Sequence, residues 1–585
     1  MLRDNKLSVW LCSAGLIITA SMLVSCRQEA VSDGQLVTDR SVDTVTEPYA
    51  EPSQSGQFLA ARQALYNEDI FAAGLFFDRT LTKEDDNIML LEQSFLSHYQ
   101  SGNLDKAASI AAKLEAAGSS LNLSVEPAIA AAIRTEDWQA VVALSEKIAL
   151  TDDGFILSAG LRSFAYIGLN EPETAFREQQ QLADFIRDSQ VGVPPEILSL
   201  HRAYLAELTG QTEEALDHYR TAHQSEPLSA YIMLAVSSGL WRLGQTEEAL
   251  TVLKANQDNT INIMRMERLF TSGNIQLIRP VNLKQMIARF IFEYSWFTRL
   301  QDTQVLVLPR LYLALSIWPQ LELAHLILAQ TFIDRSDYSN AALHLRQITP
   351  TSPYFIQAAT LKMQLAQDTK GPESAFEEME IALQELSSVI ADNVLDKDRA
   401  VLLRYAGSIA RQNNLYDEAV RYFEAALRTG EESNFTYRNL GISFERLGQT
   451  QKAEDAFLKA LELNPDDATT LNYIGYWWAD ESRRLDEALA FIRRAVELRP
   501  SSGYFADSLG WVYFRLGRYA EAVDWLEKAI QLAPTDPLIS DHLGDAYWKV
   551  GRKLEARYKW QHALDMGIDT PFADQINEKM TNGLD

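Results

Sequence analysis

From about residue 58 onward, apolar residues return every three or four positions in short stretches broken by polar turns, the period of amphipathic helices. The stretches come in pairs. Gly407, Gly441, Gly475, Gly510 and Gly544 fall 34, 34, 35 and 34 residues apart. Around them the same order of sizes recurs. One unit runs Tyr437, Leu440-Gly441, Phe444, Gly448, Ala453, Phe457, Ala460, Pro465. Others run Leu509-Gly510, Tyr513, Gly517, Ala522, Leu526, Ala529, Pro534 and Leu543-Gly544, Tyr547, Gly551, Ala556, Trp560, Ala563. Small residues mark where two helices approach closely, and large ones fill the space between them. A unit of this length cannot bury its apolar face alone, so successive units must stack.

A period of about 34 residues resembles the tetratricopeptide repeat, a helix–turn–helix unit. Upstream, Gly210-Gln-Thr-Glu-Glu-Ala-Leu216 returns word for word as Gly244 to Leu250. Weaker echoes are Gly102 with Ala107, Gly168 with Ala175, and Phe332 with Ala341, Leu345 and Ile348. The expected fold is an all-α tetratricopeptide-repeat superhelical solenoid of about 11–14 helix pairs. Its sections are a degenerate solenoid over 58–254, an irregular segment over 255–300, a second degenerate section over 301–397, regular repeats over 398–567 and a cap over 568–585. One extra residue in the Ser482-Arg483-Arg484 turn predicts a slightly longer loop without a break in the stack.

The beginning of the chain follows another logic. Arg3 and Lys6 precede an apolar run from Leu7 to Val24, the pattern of a secretory signal over residues 1–25. The run ends in Leu23-Val24-Ser25-Cys26, which resembles a bacterial lipobox and implies acylation of Cys26. An uncleaved anchor with an incidental cysteine is the alternative. Arg27 follows Cys26, and by that analogy the absence of an aspartate there points to the outer membrane, on its periplasmic face. Residues 26–57 are rich in Ser, Thr, Asp, Gly and Pro, the composition of a flexible tether with a reach of about 30 Å.

Charge and composition narrow the function. The formal net charge is −27 over 585 residues, which disfavours a nucleic-acid partner. The acidity is concentrated in 58–250, which carries −15, whereas 251–300 carries +4. Two cysteines, Cys12 and Cys26, are too few for a disulfide framework or a cysteine-rich metal site. The eight histidines form no zinc-binding motif, and no phosphate loop, dinucleotide fingerprint or nucleophile elbow occurs. Glu213-Glu214 and Glu247-Glu248 open predicted helices, where carboxylates suit the helix dipole. The sequence therefore implies neither enzyme activity, nor a metal, nor a cofactor.

Binding chemistry has two candidate places. In stacked helix pairs the first helix of each lines the inner surface. With the repeat glycine at position 8, positions 2, 5, 9 and 12 face inward. In the C-terminal units this selects Asn472, Tyr476, Tyr504, Asp507, Trp511, Phe514, Asp541, Asp545 and Trp548. Aromatic rings with interleaved polar groups suit an extended peptide, and the aspartates favour a basic or neutral one. Packing of Trp511, Phe514 and Trp548 between neighbouring helices is the competing explanation. The second place is the basic segment, where Arg265, Arg268 and Arg279 with Met264, Met266, Phe270, Phe290, Phe292 and Trp296 form a candidate partner surface. A solvated face on an ordinary helical insert explains the same residues.

The runs Leu471-Asn-Tyr-Ile-Gly-Tyr476, Arg484-Leu-Asp-Glu-Ala-Leu489, Asp507-Ser-Leu-Gly-Trp511 and His542-Leu-Gly-Asp-Ala-Tyr-Trp548 go beyond a generic repeat. They resemble large proteobacterial tetratricopeptide lipoproteins, among them an outer-membrane adaptor of a carboxyl-terminal processing protease. The resemblance is specific over about 401–567 and architectural before it. It implies a membrane-anchored periplasmic scaffold whose protein partner is a processing protease or a peptidoglycan hydrolase. An assembly factor for an envelope machine, such as a pilus, secretin or polysaccharide exporter, fits the same features.

Overall fold

The computed structural model describes residues 53–584, with short breaks at 68, 82–85, 120, 149–151, 190–192, 225–229, 256–261, 280, 299–303, 390–394 and 431. The expected signal, Cys26 and nearly all of the tether lie outside the described residues. The folded body begins slightly before the expected boundary of 58, because Ser53 caps helix Gln54–Tyr66 by accepting from the Gly56 amide at 3.1 Å. Among the described residues there are thirty α-helices, two short 3₁₀ turns and no strand. The fold is an all-α tetratricopeptide-repeat solenoid. The chain divides into two compact units, residues up to 365 with 385–394, and residues 366–384 with 395–585.

The C-terminal unit follows the expected register. Its pairs are 396–412 with 416–428, 434–446 with 450–463, 468–480 with 485–498, 503–515 with 519–532, and 537–549 with 553–565; helix 570–582 follows as the cap. Each repeat glycine sits where a large side chain of the second helix presses onto the first. A β-carbon at 510 would stand 2.5 Å from Leu526 Cγ, and one at 544 would stand 2.5 Å from the Trp560 ring. No such contact is tolerated in a close-packed interior. Within pairs the turns span three residues, except 481–484, where the extra residue is absorbed by left-handed backbone at Ser482 and Arg484. Arg484 lies over the Trp478 ring at 4.0 Å and pairs with Glu487, while Arg483 reaches Glu454 at 2.9 Å, so the longer turn is pinned.

The N-terminal unit opens with six pairs, 54–66 with 70–81, 88–100 with 104–116, 126–135 with 138–146, 152–168 with 172–189, 195–208 with 212–223, and 230–242 with 246–254. The duplicated Gly210 and Gly244 both take left-handed backbone in the tight turn inside a pair, which explains the repeated wording. Beyond these, within the segment 255–300 that breaks the repeat spacing, residues 263–272 and 283–298 are helical. Helix 283–298 forms a hairpin with 304–317. This hairpin packs against 88–100, 126–135, 152–168 and 195–208, the first helices of four pairs. It lacks the small-residue spacing of a repeat because it fills the inner face of the solenoid instead of extending the stack.

Candidate partner-binding faces

In the N-terminal unit the hairpin brings buried charge to the inner face. Glu293 is 0% exposed. One of its carboxylate oxygens lies 2.7 Å from His201 Nε2, and the other accepts from the hydroxyls of Tyr204, at 3.0 Å, and Tyr231. Burial, and then the Glu293 charge, hold the Tyr204 phenol well above its usual range. Nearby, Arg310 donates to Glu126 at 3.0 Å, and Tyr99 donates to the same carboxylate. Phe290 enters where Gly160 has no side chain: a β-carbon at 160 would lie 1.9 Å from the ring. Buried pairs of this kind specify one docking position, because either partner left alone is a desolvated charge.

The hairpin and its flanks contain most of the predicted basic surface, and the structure corrects that expectation. Arg265 is buried, donating to the carbonyls of Ser352 at 2.9 Å and Pro353 at 3.3 Å. Met266, Phe270, Phe290 and Phe292 are core residues. Arg268, Arg279 and Met264 are exposed. Phe270, Phe290 and Phe292 thus lie in the core instead of on a partner surface.

In the C-terminal unit the inward register places the nine predicted residues along one face of successive first helices, 468–480, 503–515 and 537–549. Tyr504 is 61% exposed. Trp511 stacks on Phe514 at 5.1 Å and on His542 at 4.1 Å, and Tyr476 lies 6.4 Å from the same imidazole. His542 Nδ1 is 2.9 Å from Asp507 Oδ1. Burial opposes a charge on His542, but Asp507, Asp541 and Asp545 together hold its pKa above the ordinary value. His542 was not among the residues selected, because position 6 of the repeat lies just outside the register used. Its signal was the aspartate at position 5 of the preceding repeat.

The last three predicted residues meet the cap. Lys579, on helix 570–582, donates to Asp541 at 2.9 Å and to Asp545 at 2.8 Å. Asp545 also accepts from Trp560 Nε1 at 2.9 Å. Trp548 Nε1 donates to the Leu584 carbonyl at 2.8 Å, with Gly583 against its ring. Thus Trp548 does pack within the unit, as the competing explanation held, and the aspartates are matched internally by His542 and Lys579. Asp507, Asp541 and Asp545 are therefore not free carboxylates that would favour a basic peptide there. Two polar atoms further along the face have no partner. Asn472 Oδ1 and Trp511 Nε1 are buried with nothing to bond. An unbonded buried acceptor or donor costs about 1–3 kcal/mol, so each of these two atoms stands at a local cost in the fold.

Family models and curated proteins match parts of the chain. Residues 435–467 match the family model described as tetratricopeptide repeat, and residues 510–551 match another described as TPR repeat. A TPR repeat-containing protein of Pseudomonas aeruginosa, PA4667, is 35% identical over 91 residues, which span 15% of this chain and 15% of that protein. The photosystem I assembly protein Ycf3 of Prochlorococcus marinus is 28% identical over 153 residues, covering 22% of this chain and 87% of Ycf3. Among solved structures, the Cut9–Hcn1 hetero-tetramer covers 91% of this chain and 96% of its own at 13% identity and a TM-score of 0.35. The chain carries tetratricopeptide repeats, the architecture of protein-interaction scaffolds.

Proposed function

We propose that the protein is a lipid-anchored periplasmic scaffold that holds protein partners on the inner face of its C-terminal unit. The observation that carries this reading is the pair of buried, unpartnered atoms, Asn472 Oδ1 and Trp511 Nε1, on a face edged by the exposed Tyr504. Cys26, in its lipobox-like setting, is the anchor, and the resemblance over 401–567 supports an adaptor role toward a processing protease or peptidoglycan hydrolase. The test is detergent extraction of the full-length protein, affinity purification and mass spectrometry. A periplasmic protease or wall hydrolase should co-purify with wild type and be depleted with Trp511→Ala. Recovery of neither class overturns the adaptor role. Cys26→Ala should move the protein from the membrane to the soluble fraction; retention on the membrane overturns the anchor.

Assembly of an envelope machine is the second reading. Its support is the similarity to Ycf3, an assembly protein by name, over most of that protein's length. Here a multimeric membrane complex should co-purify instead, and deletion should abolish its assembly while leaving wall hydrolases at their normal level.

A further inference from the structure

The charges on the inner face of the C-terminal unit are not treated alike. At its far end the carboxylates of Asp507, Asp541 and Asp545 are met by His542 and Lys579. At its near end stands Arg411, position 12 of its repeat on helix 396–412, whose side chain has neither a hydrogen bond nor an ion pair among the described residues. Its Nε is buried without an acceptor. Arg438 and Arg446 add like charge, while Tyr416 and Tyr473 are its other neighbours. The carboxylates nearby are committed elsewhere. Asp467 accepts from Arg438, from Asn434 at 3.2 Å and from Thr470 at 2.6 Å; Glu445 accepts from Tyr473 at 3.1 Å and pairs with Arg446 at 3.3 Å. Burial, reinforced by Arg438 and Arg446, depresses the Arg411 pKa, in contrast to the carboxylate-paired Arg484, Arg518 and Arg552, which are raised.

A guanidinium fork without an acceptor, set among like charges, is complementary to a carboxylate. We infer that this face takes an extended partner segment carrying an aspartate or glutamate side chain, whose carboxylate meets Arg411 while Asn472 and Trp511 bond the segment's main chain. The proposal rests on the scaffold reading above and supplies the partner's chemistry. A side chain is chosen over a chain terminus because Arg411 is largely buried and a main-chain end would have to enter with it. The segment then continues along the face toward Trp511, which a terminus anchored at depth would not require.

The experiment uses the full mature protein and fluorescent nonapeptide pools on an alanine-rich background, amidated at the C-terminus, with glutamate, glutamine or lysine scanned through each position. A further glutamine pool keeps its free terminal carboxylate. Anisotropy should show the glutamate pool binding about tenfold more tightly than the glutamine pool. The preference should shrink at high salt. Arg411→Gln should remove it, and Arg411→Lys should keep part of it, with both variants unfolding thermally as wild type does. A lysine preference, a glutamate preference that survives Arg411→Gln, or equal gain from the free terminal carboxylate each overturns the proposal. Binding that needs Trp511 but shows no glutamate preference overturns the acidic segment alone. No binding of any pool overturns both the segment and the peptide-binding face.

Discussion

In the N-terminal unit the first helices of four pairs are covered by hairpin 283–317 of the same chain, whereas among the described residues of the C-terminal unit it is the last pair that is covered, by helix 570–582. Both covers use buried charge: Glu293 and Arg310 in one, Lys579 in the other. The difference lies in what remains. Glu293 is met by His201, Tyr204 and Tyr231, and Glu126 by Arg310 and Tyr99, so the charges of the first unit's inner face are spent on its own architecture. In the second unit Arg411 Nε, Asn472 Oδ1 and Trp511 Nε1 have no hydrogen-bond partner among the described residues. Buried atoms without a hydrogen bond occur in both units, His201 Nδ1 beside Glu293 among them, so it is the covering hairpin that sets the first inner face apart.

The largest test of that contrast is removal of the hairpin's anchor. Phe290→Ala should cost the N-terminal unit about 4 kcal/mol, because it empties the volume left by Gly160. Hydrogen exchange in helix 152–168 should accelerate, while exchange in 503–515 stays unchanged. Next, Arg310→Met should leave Glu126 as an uncompensated buried carboxylate and cost about 3 kcal/mol by chemical denaturation. The double variant with Glu126→Gln should recover part of that loss.

In the C-terminal unit, Lys579→Met should expose the mutual repulsion of Asp541 and Asp545. Burial and Asp541 already raise Asp545 against the pull of Lys579, so as pH falls through the carboxylate range the variant should gain more stability than wild type does. Thermal unfolding between pH 4 and 7 is the measurement. The smallest effect concerns His542. Its pKa is raised in the fold, so its contribution is complete below about 6.5 and is lost as pH climbs through the folded value. Asp507→Asn should flatten that dependence.

How much of this was legible in the sequence depended on whether a contact lay within one repeat. Gly441 against Phe457 and Gly510 against Leu526 are 16 residues apart, so the period revealed them. Trp548 and Lys579 were half legible: the aromatic stood in register, but its partner came from a cap with no repeat pattern. The hairpin was not legible, since Gly160 meets Phe290 and Glu126 meets Arg310 across 130 and 184 residues, and no spacing rule links them. The basic balance of 251–300 pointed outward for the same reason. Arg265 ends on carbonyls at 352 and 353, far along the chain, and without that knowledge it reads as a surface charge.

The hairpin also changes how each half can fold and evolve. A stack whose units touch only their neighbours gains or loses a repeat with little disturbance, and its folding can begin anywhere and spread. Regular pairs such as 434–463 and 503–532 retain that freedom. The N-terminal half does not, because helices 283–298 and 304–317 must find four helices that entered the chain roughly 90 to 215 positions earlier, a long loop closure with correspondingly slow assembly. Duplication of one pair between 88 and 208 would shift Gly160, His201 and Glu126 out of line with Phe290, Glu293 and Arg310 together. Insertions and deletions of whole repeats should accordingly accumulate among relatives in the C-terminal half and be rare before residue 317.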